Sequence, residues 1–380
     1  MDSVRIIIAS RRLNFDQSAP KCSLYLASAL AELGNEVHVL TSVISPQARR
    51  KLKQSGAIIH PVKAFLANKV YSSLSYTYLA QKLKKALSAD IILGNGYTFF
   101  DDITWIHFLR LSNMIHLGSR SDNLFFGSLI EKALFQTSGK LLAPSSTVAE
   151  DLMKLYGVTP KKIIIQPHGV DTEYYSPSSK KGENEKRVVR LLFVGGKPLR
   201  KGFDLLLKTL NHMKHRRNVR LIAAGFVPDV HLKSIAEKLG VEELISFEGF
   251  VKTDRLLDLY RSSDLYVLPS LYDPFSIATL EAMATSLPVV VSRYSGICDI
   301  LHDWHDGVIV DPFNLGEFTE TLDTVVEDSK LRQKLGVNAR LTSEKYSWRN
   351  VAMALSGRLI SQTQTSFSKS SAHEFLGVAT

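Results

Sequence analysis

The chain has 380 residues, which is long for a single hydrophobic core, so we expect two domains. With 45% hydrophobic and 22% charged residues, it has the composition of an ordinary soluble globular protein. No apolar run approaches the roughly 20 residues of a membrane-spanning helix, and the net charge of +10 favours an anionic partner.

The first half of the chain alternates predicted strands with helices, which is the rhythm of βαβ units. The short apolar stretch at the start leads directly into a strand, so we expect no signal peptide. Apolar spacing from Ser23 onward predicts a helix that ends at Gly34. The predicted strands begin near Val4, Asn35, Gly56, Asp90, Ile103, Lys140 and Lys161.

The two cysteines, Cys22 and Cys298, are too few for a disulfide framework, which favours a reducing cytoplasm. Neither has a Cys or His neighbour at zinc-ligand spacing. We therefore expect packed or idle thiols.

The stretch from Val37 to Ala89 contains nine Lys and Arg residues and no Asp or Glu. Such a region is expected to face an anionic lipid surface, a phosphorylated acceptor or nucleic acid, although a solvated basic face is the alternative. From Lys63 to Lys85, apolar residues and tyrosines at helical spacing lie among lysines, which predicts a membrane-facing helix. The alternative is a helix whose apolar face joins the core. Nucleic acid is less favoured because no binding motif accompanies the charge.

A polar segment from Ser176 to Arg187 has no apolar periodicity and is the predicted linker. After it, six more strands alternate with helical stretches, so we expect a second doubly wound domain. These strands are predicted in VVRLLFVGG, NVRLIAAGF, LISFEGF, SDLYVLPS, PVVVSRYS and GVIVDP.

The segment from Pro269 to Ser292 is the most informative. A buried strand ends at Pro269, and we expect a helix to begin near Pro274 or Phe275, where its free N–H groups suit a diphosphate. Asp273 and Glu281, eight residues apart, would lie on one helix face and hydrogen-bond to two sugar rings. The alternative makes Asp273 a helix cap and Glu281 a surface charge.

This strand–loop–helix resembles the Glu-x7-Glu signature of the retaining glycosyltransferase family four, with Asp273 in place of the first glutamate. The segments LLFVGGKPLRKGFDLLL, IIIQPHGVDTEYYSP and SWRNVA also resemble parts of that family, so the similarity runs from about Arg5 to Ile360. The resemblance implies the GT-B fold, two tandem Rossmann-like doubly wound α/β domains with a cleft between them. The expected ranges are an acceptor-side domain 1–177, a linker 178–188, a nucleotide-sugar domain 189–346, a helix crossing back to the first domain at 347–362, and a flexible tail 363–380.

The resemblance also implies residue roles. Glu281 would bind the ribose hydroxyls and Asp273 the transferred sugar, while backbone amides at the helix start would lie near the diphosphate. Arg200 and Lys201 match a basic pair on the leaving phosphate, where negative charge grows as the bond breaks; an exposed turn is the alternative. The donor-binding residues are thus predicted to be Gly195, Gly196, Arg200, Lys201, Asp273, Phe275, Ser276, Ile277 and Glu281.

His107 matches a family histidine near the reacting centre, and it is predicted to be catalytic with Arg200, Lys201 and Asp273; a satisfied core histidine is the alternative. His168 replaces the usual asparagine and is expected to be structural, near the hinge.

The chain departs from the family pattern at several positions. Gln17 and Ser18 replace a Gly-Gly pair, and they are expected either to meet the diphosphate or to shape the acceptor pocket. Gly196 stands for an arginine, Ser276 for a glycine and Asp299 for a glutamate.

The resulting prediction is a retaining, metal-independent hexosyltransferase. It would move a hexose from a nucleoside-diphosphate sugar to a glycan, glycolipid or lipid-linked acceptor in polysaccharide or glycolipid synthesis. No Asp-x-Asp occurs, so neither a metal nor another cofactor is expected. We expect a cytoplasmic protein, peripheral on the inner face of the cell membrane. The base, sugar and acceptor stay open, and the alternatives are an epimerase or hydrolase on this fold, or a non-catalytic anion-binding scaffold.

Overall fold

The computed structural model describes residues 3–62, 69–96, 98–117, 122–178 and 188–359. Nearly all of the predicted linker and the whole predicted tail lie outside these residues. Within the described residues, no helix has the length and apolar character needed to cross a membrane.

The N-terminal half forms a seven-stranded sheet in which every neighbouring pair is parallel. Its order, β5-β3-β1-β6-β7-β8-β9, contains all seven strands predicted for this half. The strands are β1 (Arg5–Ala9), β3 (Glu36–Thr41), β5 (Ile58–Pro61), β6 (Ile91–Gly94), β7 (Ile103–Trp105), β8 (Lys140–Ala143) and β9 (Ile163–Ile165), and a separate short pair joins β2 (Arg12–Leu13) to β4 (Val43–Ile44).

Helices cover this sheet. The helix predicted from Ser23 is α1, which begins earlier, at Ser18, and buries an almost continuous run of its residues. The helices of this half are α1 (Ser18–Glu32), α2 (Pro46–Gln54), α3 (Lys69–Leu87), α4 (Arg110–Leu117), α5 (Asp122–Thr137) and α6 (Ser146–Tyr156).

The second half forms a six-stranded parallel sheet in the order β12-β11-β10-β13-β14-β15. Its strands are the six predicted ones: β10 (Val189–Val194), β11 (Val219–Ala224), β12 (Ile245–Gly249), β13 (Leu265–Leu268), β14 (Val289–Ser292) and β15 (Val308–Val310). Its helices are α7 (Phe203–His212), α8 (Val230–Lys238), α9 (Thr253–Ser262), α10 (Ile277–Ala284), α11 (Leu315–Glu327) and α12 (Ser329–Lys345). The predicted fold class, two doubly wound α/β domains, is confirmed.

A last helix, 348–359, belongs to the second half by sequence but packs on the first. Its residues Trp348, Val351 and Leu355 lie in the same hydrophobic cluster as the β1 and α1 side chains. Just before it, Ser347 pairs with Val170, the segment that leaves the first domain. The chain therefore passes between the domains at two adjacent points, which places a cleft at the carboxyl ends of both sheets.

Candidate active site between the two domains

The loop after β13 carries Asp273, and its backbone is fixed by pairing. Asp273 bridges to Ser295, and its carbonyl accepts from the Gly296 amide at 2.8 Å. These bonds hold the loop extended, so α10 begins at Ile277 and not near Pro274 or Phe275 as predicted. Asp273 therefore lies before the helix, and the expectation that it shares a helix face with Glu281 is wrong.

Lys201 and Asp273 form a buried ion pair. Gly202, the next residue, lets the Lys201 turn pack closely against the end of the strand before Asp273. It has a φ of +71°, and a Cβ at this position would lie 1.9 Å from the carbonyl oxygen of Pro269. Arg200 donates to the Tyr272 carbonyl at 2.8 Å. The predicted basic pair is thus brought to the Asp273 loop and does not form an isolated exposed turn.

Burial and charge act oppositely on this ion pair. Burial lowers the pKa of Lys201, although the neighbouring Asp273 opposes that shift. Burial on its own would raise the pKa of Asp273, but Lys201 and Arg200 outweigh it, so this pKa lies below its usual range. Asp273 is therefore held ionised.

The helix-start amides are partly engaged already. The Ser276 amide donates to Oδ1 of Asp273 at 3.2 Å, and the Phe275 backbone also bonds to this carboxylate. Ser276, where the family has glycine, adopts a φ of +63°. Asp273 thus holds the turn before α10 while it pairs with Lys201. The N-cap of α10 is Ser276, so the alternative that makes Asp273 a simple helix cap is wrong.

Glu281 is 3% exposed, which excludes the surface-charge interpretation. Its Oε1 forms an ion pair with Lys21 of α1, and its Oε2 accepts from the Tyr260 hydroxyl at 3.2 Å. Sequence reasoning missed Lys21, although it is the single charged residue between Ser18 and Ala31 in a helix that is otherwise small or apolar. Each signature carboxylate is therefore paired with a lysine, one from each domain.

His107 lies just beyond β7 and stacks on His168, with ring centroids 5.0 Å apart and planes 9° apart. Trp105 contacts both rings, and Phe275 of the second domain meets His168 edge-on. His168 is buried against these rings, and its expected structural role stays a prediction. Among the described residues, neither nitrogen of His107 has a hydrogen-bond partner, so the satisfied-core alternative does not hold.

Both imidazoles are held neutral. Burial lowers the pKa of His107 well below its usual value, and the nearby His168 adds to the shift. Burial lowers the pKa of His168 to about 3. Both rings are therefore neutral near pH 7.

The remaining predicted residues lie around this centre. Gln17 caps α1 with its backbone only, and Ser18 opens the helix; both are exposed. A Cβ on Gly195 would be 2.9 Å from the Lys201 side chain, so the glycine leaves room for that stem. Gly196 is exposed beside it.

The domains touch directly behind the Asp273 loop, which the sequence did not reveal. Ser145 donates to the Pro274 carbonyl at 2.8 Å, and the Ser146 hydroxyl donates to Asp299 at 2.6 Å. Gly296 permits the approach, because a Cβ there would be 2.2 Å from the Pro274 oxygen and 2.4 Å from the Ser145 hydroxyl. A separate cavity of about 650 Å³ lies between α1, α2 and the start of α9, and Tyr25, Lys51, Tyr174 and Lys252 are among its lining residues.

One set of potential metal ligands occurs among the described residues. Atoms of Cys22, His107 and His168 lie within 4.8 Å of one another. The two rings are nearly parallel, so an ion in the plane of one would lie outside the plane of the other. The set also lacks the carboxylates that Mg²⁺ and Mn²⁺ prefer, and it does not fit a diphosphate-clamping metal.

The chain matches two family models. The model described as Glycosyltransferase Family 4 covers residues 21–174, and the one described as Glycosyl transferases group 1 covers residues 176–342. An uncharacterized glycosyltransferase of Methanocaldococcus jannaschii is 38% identical over 43% of this chain and 42% of its own length. A D-inositol 3-phosphate glycosyltransferase of Xylanimonas cellulosilytica is 29% identical over 59% of this chain and 57% of its own length. The matches thus span about half the length of these curated relatives.

Solved structures share the fold. WaaG, a glycosyltransferase involved in lipopolysaccharide biosynthesis, superposes with a TM-score of 0.72 at 20% identity over 93% of this chain and 99% of its own. Anabaena HepE, solved with UDP and glucose, gives 0.72 at 15% identity over 94% of this chain and all of its own. The two matched models together with this architecture show that the chain belongs to the family-four-like glycosyltransferases with the GT-B fold.

Proposed function

We propose that this glycosyltransferase moves a hexose from a nucleoside-diphosphate sugar to an acceptor hydroxyl, with retention at the anomeric carbon and without a metal or other cofactor. The observation that carries the proposal is the cluster of Asp273, Lys201 and Arg200 at the start of α10, the helix that also bears the buried Glu281. It combines hydroxyl-binding carboxylates with cations at a helix N-terminus.

The chemistry needs positive charge at one place. Breaking the bond between sugar and diphosphate builds negative charge on the departing β-phosphate, which Arg200, Lys201 and the free N–H groups of α10 would stabilise. Retention needs no protein nucleophile if the departing phosphate assists the acceptor hydroxyl on the same face, with both held in position. His107 is neutral and has no hydrogen-bond partner among the described residues, so it is suited to hydrogen-bonding the sugar.

A ligand panel followed by turnover tests this proposal. We expect one of UDP, GDP or ADP to raise the melting temperature clearly, because a ligand of the folded state stabilises it by mass action. UDP is the first to try, since HepE has been solved with it. The matching sugar donor should then glycosylate an acceptor with unchanged anomeric configuration by NMR, equally with EDTA. Inverted product or EDTA inactivation would contradict the mechanism, and epimerised or hydrolysed donor without an acceptor would favour the alternative reactions.

We also propose that the N-terminal domain lies on an anionic membrane surface, with a glycolipid or lipid-linked acceptor, which would place the protein peripherally on the inner face of the cell membrane. Along α3, Leu74 and Tyr78 are 51% and 65% exposed, and Lys82 and Lys85 continue the exposed face. The predicted stretch starts at residue 63, outside the described residues. Lys84 does not extend the exposed lysine face, because it pairs with Asp102 at 2.7 Å.

Vesicle co-sedimentation tests the membrane proposal. Each lysine near an anionic leaflet contributes about 1 kcal/mol, so K82E/K85E should lose most binding to phosphatidylserine-containing vesicles at low salt. The matched control K208E/K233E makes the same charge change on exposed lysines of the second domain and should bind like wild type. If both double variants lose vesicle binding equally, net charge alone explains the effect. If neither loses binding, α3 does not contact the membrane.

A further inference from the structure

Lys21 brings a cation of the first domain into the donor site of the second. It lies in the first turns of α1, which has no acidic residue in its first turn and no side-chain cap. Its ammonium pairs with Glu281 and lies 5.8 Å from the Tyr175 ring centroid. The side chains of Lys21 and Glu281 are 13% and 4% exposed, so this is a largely desolvated contact between domains.

The ion pair competes with the role proposed for Glu281. Lys21 binds one carboxylate oxygen of Glu281 and the Tyr260 hydroxyl binds the other, so ribose hydroxyls would compete with both groups for this carboxylate. Of these two groups, Lys21 has the flexible side chain that can move away from Glu281. A displaced ammonium in a largely desolvated place is costly unless it finds another anion.

We propose that Lys21 is a donor-binding residue: as the ribose takes Glu281, its ammonium swings onto the diphosphate of the nucleotide. This inference rests on the proposed function. The diphosphate adjoins the ribose and is the anion that the ligand itself brings. Gln17 and Ser18 at the start of α1 replace the glycine pair of the family. Lys21 extends its ammonium group from the same helix start.

Comparing a nucleoside with its diphosphate tests the proposal. In wild type, uridine displaces Lys21 without giving it a new partner, whereas UDP supplies one. K21M should therefore weaken UDP binding about tenfold or more in calorimetry, since a charge-assisted hydrogen bond is lost. The same variant should leave uridine binding unchanged or tighter. K21R should retain most of the preference for UDP over uridine.

Controls separate this role from a structural one. K233M removes an exposed lysine from α8 and should keep the wild-type ratio of the two dissociation constants. If K21M weakens uridine and UDP by equal factors, or changes neither, Lys21 does not bind the diphosphate. GDP with guanosine, or ADP with adenosine, replaces this pair if the panel selects another base. A wild-type protein that binds none of UDP, GDP and ADP overturns the proposed function itself, an outcome distinct from an unchanged ratio in K21M.

Discussion

Replacing Lys201 with methionine tests the centre of the proposed mechanism, because it removes a buried cation and keeps a similar stem beside Gly195. The charge that Lys201 meets grows as the phosphate leaves, so turnover should fall more than donor affinity. Loss of one such donor commonly adds about 2–4 kcal/mol to the barrier, which corresponds to a decrease in kcat of roughly 30- to 1000-fold.

The same replacement has a stability cost that must be separated from catalysis. Without Lys201, the buried Asp273 keeps only Arg200 as a neighbouring cation, so its pKa should rise. Removing one partner of a buried ion pair typically costs about 3–5 kcal/mol of unfolding free energy. The double variant K201M/D273N removes both charges, and it should recover much of the stability while remaining slow.

Single-turnover release of the nucleotide diphosphate, with donor affinity from calorimetry, measures the two effects separately. K197M serves as the matched control, because Lys197 is an exposed lysine of the same turn. The assigned role is wrong if K201M turns over within about threefold of wild type, or if its donor dissociation constant rises by the same factor as kcat falls.

Three further predictions follow from the same geometry. D273N should weaken binding of the sugar donor but not of the free nucleotide diphosphate, whereas E281Q should weaken binding of both. If calorimetry shows that the two variants lose the same affinity for the free nucleotide diphosphate, these separate roles are wrong. Burial lowers the pKa of His168 to about 3, so the stability contributed by this neutral ring is present above about pH 6.5 and is lost as pH falls toward about 3. This group should cost about 2 kcal/mol between pH 7 and pH 5, so H168N should remove that part of the loss seen in urea unfolding, and an unchanged slope would refute it. The pKa of His107 is lowered by burial too, so this ring should add to the loss in the same direction. G296A should destabilise by about 1–3 kcal/mol and slow turnover by displacing the Asp273 loop. G357A is the control, because Gly357 has open space around it. If G357A lowers the melting temperature as much as G296A does, crowding at Gly296 is not the cause.

The sheet elements could be predicted because their signal is local. Continuous runs such as Ile6–Ile8 and Val289–Val291 are buried strands wherever they occur in a doubly wound domain, and all thirteen predicted strands are present. The start of α10 could not be predicted in the same way. The loop backbone bonds to residues 294–296, some twenty positions further along the chain, and this overrides the helical preference that the sequence suggests.

The candidate site shows the same limit more clearly. Asp273, Glu281 and Lys201 could be named because a family pattern carries them, but the partner of Glu281 comes from residue 21 of the other domain. The stacking of His107 on His168 likewise joins two segments that are sixty residues apart. Neither contact has a periodic or local signature, so only the tertiary structure reveals them.

Each of the two buried carboxylates, Asp273 and Glu281, is paired with a lysine, and this affects how a donor can bind. Asp273 is paired with a lysine of its own domain and Glu281 with a lysine of the other, so the protein itself balances both carboxylate charges. An incoming donor offers these carboxylates uncharged hydroxyls, and it brings its negative charge on the diphosphate. In the proposed exchange, hydroxyls of the donor would hydrogen-bond to the carboxylates, and the phosphates would pair with the lysines released from them. A sugar without a diphosphate cannot complete this exchange, so the cleft should select against it by leaving two ammonium groups unpaired.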